Sequence, residues 1–154
     1  MADCEQEASL RAGERWQQIH RAPNVYAVQV PFTNISTSET NVYVVEDEGE
    51  VLVVDTGAPT DEGSAVLARA FDEIGVDPAC ASFFLTHLHM DHAGLVDRLV
   101  PQDAPLYVNR VDFDLMLDAN DPVFWSRVER RVMAEGVPPE RARLYCREGR
   151  YGTG

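Results

Sequence analysis

Apolar and polar positions change rhythm several times along this chain. Over residues 1–21 polar and charged positions dominate, and Leu10, Trp16 and Ile19 are too sparse to draw an apolar stripe. Residues 1–23 therefore read as an N-terminal arm or a short helix. From Val25 the pattern becomes β-branched and aromatic. Residues 25–30 predict a strand closed by Pro31, and the polar stretch 34–40 predicts a loop. Residues 41–46 and 51–55 predict two further strands, joined as a hairpin by Asp47-Glu48-Gly49-Glu50. These runs are apolar on both faces, which suggests a sheet covered on both sides.

The rhythm then shifts to that of a helix. Thr60 is a candidate N-cap, with Asp61 and Glu62 where the helix dipole favours anions. Val66, Leu67, Ala70, Phe71 and Ile74 recur on one face, and Gly75 is a natural end. Residues 82–85 (Ser-Phe-Phe-Leu) predict a short buried strand. Leu95, Val96, Leu99 and Val100 predict a short helix ended by Pro101, and residues 106–108 predict another strand. Beyond Asn109 the pattern is helical. Val111, Leu115 and Met116 mark one segment. Asp121 caps a second, carrying Val123, Phe124, Val128 and Val132 as far as Gly136. Pro138-Pro139-Glu140 opens a third, and residues 151–154 read as a closing loop.

Composition narrows the function classes. The 154 residues suit one domain. Thirteen basic residues, all arginine, face 26 acidic ones, a net charge of −13, so nucleic acid is not an expected partner. The whole excess lies in residues 1–108, where 18 acidic residues meet 5 arginines; residues 109–154 hold 8 of each. No apolar run is long enough for a membrane helix, and the acidic start is not that of a signal peptide. Cys4, Cys80 and Cys146 are odd in number and scattered, which reads as reduced thiols in a cytoplasmic protein.

The chemistry is concentrated in one segment, Thr86-His87-Leu88-His89-Met90-Asp91-His92-Ala93-Gly94, which holds three of the four histidines. If the chain stays extended past Leu85, His87 and His89 project to one side and can share a metal. Asp91 and His92 fall where the chain turns into the next helix, placing a carboxylate and an imidazole near a second position. Zinc accepts both ligand types. Gly94 leaves room for close backbone approach.

The T-H-x-H-x-D-H-x-G run after a buried strand, with Val53-Val54-Asp55-Thr56-Gly57 upstream, resembles the signature of the metallo-β-lactamase superfamily over residues 24–108. The resemblance implies an α/β fold, the first half of an αββα sandwich, followed over residues 109–154 by a helical insertion. It implies that His87 and His89 bind a first metal and Asp91 and His92 a second, with Asp55 orienting the ligands. The implied cofactor is a pair of zinc ions, iron or manganese being alternatives. Two such ions share a hydroxide that attacks an ester, thioester, lactone, lactam or phosphoester, and Asp91 can orient that nucleophile or move its proton as the catalytic carboxylate.

No histidine follows His92. The family's second half supplies another histidine, a bridging aspartate and a final histidine, so the chain is expected to be the N-terminal part of such a hydrolase, its domain incomplete at the C-terminus. Phe113, Met116, Phe124 and Trp125 either line a pocket for a small-molecule substrate or pack among themselves. A half-sandwich is expected to self-associate through its uncovered sheet. The competing reading is a non-catalytic metal-binding or interaction fragment. An amidohydrolase barrel, which also carries H-x-H, needs roughly 250 residues or more.

Overall fold

The alternating valines of the first half build one sheet. A computed structural model describes residues 15–32, 39–119 and 121–148. Six strands lie in the order of the chain: β1 (Trp16–Arg21), β2 (Asn24–Pro31), β3 (Glu39–Asp47), β4 (Glu50–Val54), β5 (Ser82–Leu85) and β6 (Leu106–Val108). β1 to β4 pair antiparallel; β4, β5 and β6 pair parallel. A parallel neighbour requires a crossover, and helix α1 (Asp61–Ile74) supplies it between β4 and β5.

Helix α1 starts and stops where its local chemistry dictates. Thr60 Oγ1 accepts from Gly63 N at 2.9 Å, and the helix ends at Gly75 with φ of 85°. Its buried face, Leu67, Ala70 and Phe71, packs on Val28, Val30, Val42, Val44, Val53 and Phe83. Full burial of each large apolar side chain contributes about 1.5–3 kcal/mol.

Three expectations change. The stretch 16–21 is an edge strand, not an arm or helix. It pairs with β2 from Trp16 opposite Val28 to Arg21 opposite Asn24, and Trp16 packs edge-to-face on Tyr26 at 5.8 Å. An edge strand is held by backbone hydrogen bonds on one side, so sparse apolar positions suffice. Residues 1–14, with Cys4, lie outside the described residues, as do 34–38 of the expected loop and 151–154; Glu39 and Thr40 already belong to β3.

The sheet is also not covered alike on both faces. The face under α1 buries Val28, Val30, Val42, Val44, Val53 and Phe83 completely and is exposed toward the β6 edge, at Leu106. The other carries the row Tyr43, Val54, Phe84 and Tyr107, of which Phe84 and Tyr107 are exposed. Finally, the single helix expected around Leu95 is two single turns, α2 (Met90–Ala93) and α3 (Val96–Leu99), with Leu95 buried between them.

The chain divides into two compact units, Met1–Asn109 and Arg110–Gly154. The second consists of α4 (Arg110–Ala119), α5 (Pro122–Ala134) and α6 (Pro139–Glu148). Asp121 Oδ1 caps α5 by accepting from Val123 N at 2.9 Å, and α5 pairs with α6, where Arg143 meets Glu129 at 3.3 Å. Among the described residues no helix is long and apolar enough to cross a membrane.

Candidate metal centre

Strand β4 delivers the anchor of the site. Its ladder with β5 runs one residue past the strand end, through Asp55 N to Phe84 O at 2.8 Å. Asp55 then takes a left-handed backbone, φ 65°, a conformation that Asp tolerates better than most residues. This turns its carboxylate, in a residue only 3% exposed, toward the segment after β5. There it accepts from Thr86 N at 2.8 Å, from Thr86 Oγ1 at 2.8–2.9 Å, and from His92 Nδ1 at 2.8 Å.

The next two residues clamp the same segment. Thr56, fully buried, donates from N and from Oγ1 to the His92 carbonyl at 2.6 and 3.0 Å, and its Oγ1 accepts from Leu95 N at 3.2 Å. Gly57 N also reaches the His92 carbonyl, and Gly57 forms a bridge with Ala93. Only glycine fits there: φ is 81°, and a Cβ would lie 2.7 Å from Val30 Cγ1. At Gly94 a Cβ would run into Pro59, so the close approach expected at that glycine is real.

The four candidate donors of the H-x-H-x-D-H segment come together as two pairs. His87 Nε2 and His89 Nδ1 face each other at 3.1 Å, and Asp91 Oδ2 lies 3.6 Å from His92 Nε2. The His87 ring joins the pairs, its centroid 4.6 Å from that of His89 and 4.0 Å from that of His92. His89 is exposed; His87, Asp91 and His92 are half-buried. Thr40 Oγ1, buried on β3, donates to Asp91 Oδ2 at 3.4 Å.

Pair by pair, the donors suit a metal. Two nitrogens each roughly 2.0–2.1 Å from one tetrahedral zinc lie about 3.3 Å apart. The 3.1 Å between His87 Nε2 and His89 Nδ1 is close to that value, and the 3.6 Å between Asp91 and His92 needs only a small adjustment. Neither pair completes a coordination sphere. Among the described residues, no group of three or more His, Cys, Asp or Glu side chains stands ready to hold a metal ion.

The four aromatic and apolar pocket candidates belong to the helical unit. Phe113 and Met116 are exposed on α4, and Phe124 and Trp125 meet edge-to-face on α5 at 5.3 Å. The supporting threonines, Thr40, Thr56 and Thr86, escaped sequence reasoning. Thr56 and Thr86 sit inside the two recognised motifs, so their adjacency to Asp55 and His87 was the available signal. Thr40 offered none, because its partner lies 51 positions away.

The sequence model described as Metallo-beta-lactamase superfamily matches residues 36–143. No curated protein matches the sequence significantly. Among solved structures, a metallo-beta-lactamase family protein from Thermus thermophilus aligns with a TM-score of 0.59 at 24% identity, over 78% of this chain and 42% of its own. A beta-lactamase domain protein from Burkholderia ambifaria gives 0.56 at 19% identity, over 75% and 36%. AidC, a dizinc quorum-quenching lactonase, gives 0.54 at 17%, over 71% and 49%. At these identities the likeness is one of fold. The chain spans less than half the length of each of these structures.

Proposed function

The chain belongs to the metallo-beta-lactamase superfamily, and from that premise we propose that it supplies the first part of a zinc-dependent hydrolytic site, acting on an ester, thioester, lactone, lactam or phosphoester. One observation carries the reading. Four donor groups stand as two zinc-compatible pairs, with His92 held from behind by the buried Asp55. Bound zinc would supply Lewis acidity and lower the pKa of water to about 7. In this proposal His87 and His89 hold a first ion, and Asp91 and His92 a second. Asp55 holds His92 by Nδ1 and so leaves Nε2 as the ligating nitrogen, the carboxylate support usual for metal-ligating histidines. Asp91 also accepts or returns a proton beside the reacting group. A lactone is a reasonable member of the substrate panel, since AidC is a lactonase. The proposal includes a reducing, cytoplasmic setting, in keeping with the exposed, disulfide-free Cys80.

A second reading, a metal-binding fragment without turnover, is favoured by the donors forming two pairs and no larger group among the described residues. Zinc titration and a chromogenic lactam, lactone and phosphodiester panel separate the two. Zinc binding that His87→Ala weakens at least tenfold supports both readings, and turnover by the zinc-loaded chain selects the first. Zinc affinity unchanged in His87→Ala would overturn both.

A further inference from the structure

We propose that Asp55 and Thr86 form one hydrogen-bond relay that presets the imidazole tautomers of His87 and His92, so that a single buried carboxylate readies a bare nitrogen in each donor pair. The inference rests on the metal reading above but depends on this chain's own hydrogen bonds.

The assignment follows from counting protons. A carboxylate only accepts, and a threonine hydroxyl has one proton and two lone pairs. Thr86 Oγ1 sits 2.9 and 2.8 Å from the two Asp55 oxygens, so its proton is committed there. Its lone pairs are what remain for His87 Nδ1, 3.0 Å away, and that nitrogen must therefore carry hydrogen. His87 Nε2 is then bare. The same logic acts directly on His92: Nδ1 lies 2.8 Å from Asp55 Oδ2, so it donates, and in the neutral ring the single proton is used there, leaving Nε2 bare. Asp55 thus governs both pairs, one directly and one through Thr86.

The relay also dictates the state of His89. Since His87 Nε2 is an acceptor, the 3.1 Å contact requires His89 Nδ1 to donate. A metal shared by these two nitrogens needs both lone pairs. The proton must then leave His89 Nδ1 and reside on Nε2, exchanged through the solvent to which His89 is exposed. Two of the three rings are therefore ready before metal arrives, and the third must switch.

The test is long-range proton–nitrogen correlation spectra of the imidazole rings of the full chain, metal-free, at mildly alkaline pH. The expected result is the Nδ1–H tautomer at His87, His89 and His92, with His89 alone converting to Nε2–H when zinc is added. Thr86→Ser should keep the His87 tautomer. Thr86→Val should mix the tautomers at His87, leave His92 unchanged and weaken zinc binding about 10- to 100-fold. An Nε2–H or mixed His87 in the unaltered metal-free chain overturns the relay, whatever the variants do. So does a folded Thr86→Val chain with His87 unchanged. If the metal-free tautomers are as expected but zinc perturbs no ring, the relay stands and the metal reading falls.

Discussion

The sheet unit and the helical unit treat their apolar side chains in opposite ways. In the sheet unit Val28, Val30, Val42, Val44, Val53 and Phe83 are fully buried beneath α1. In the helical unit the buried apolar residues among those described are Ala142 and Cys146, while Val111, Phe113, Leu115, Leu117 and Val123 are exposed. A helix that is apolar on several sides is ordinarily buried, and α4 is not. The charge divides at the same place, −13 as far as Asn109 and zero from Arg110 onward. Every residue of the candidate metal centre lies in the well-packed, acidic unit. Catalytic and ligating groups need a scaffold that holds their geometry, and a negative field favours a cation.

The largest expected effect tests the packed side of this contrast. Phe83→Ala removes a side chain with no exposure from the centre of the core, and should cost about 3–5 kcal/mol in urea unfolding. A loss under about 1 kcal/mol would mean that the sheet unit is not held together as described.

A smaller effect concerns how β1 is fastened to α1. Glu73 accepts from Trp16 Nε1 and from Arg69 Nε, each at 2.7 Å. These bonds, Trp16's first, hold the Glu73 carboxyl below its usual range. The unfolded chain binds that proton more readily, so the stabilisation is fully present above the unfolded pKa, about 4.3. It is lost as pH falls through the lower, folded value. Lowering the pH should therefore move the Trp16 indole resonance only below the ordinary carboxylate range, and Glu73→Gln should abolish that response. A Trp16 titration that persists in Glu73→Gln would place the fastening elsewhere.

The smallest effect tests the open side. Leu117 is 53% exposed on α4, and Leu117→Gln should change stability by no more than about 0.5 kcal/mol. A cost above about 1 kcal/mol would show that this surface is covered in solution, and the contrast between the units would weaken.

Much of this was legible in the residues. Thr60, Gly75 and Asp121 mark helix ends because capping is chemistry within a few positions. The H-x-H-x-D-H spacing was enough to pair His87 with His89 and Asp91 with His92, since each pair lies within two positions of the chain. β1 was not legible. Its apolar side chains are few, and the backbone pairing that holds it is open to almost any sequence. Nor was the open second face of the sheet: Val45, Leu52 and Phe84 are equally apolar wherever the covering layer lies.

The sequence by itself therefore determined which donor groups lie together and the local elements that carry them, because donor spacing, strand alternation and caps are short-range properties. Tertiary structure alone decided how the donors are held. Asp55 meets Thr86 across 31 positions and His92 across 37, and Thr40 meets Asp91 across 51. Such contacts exist only after β4 and β5 have paired in register and α1 has crossed between them, which no local pattern encodes.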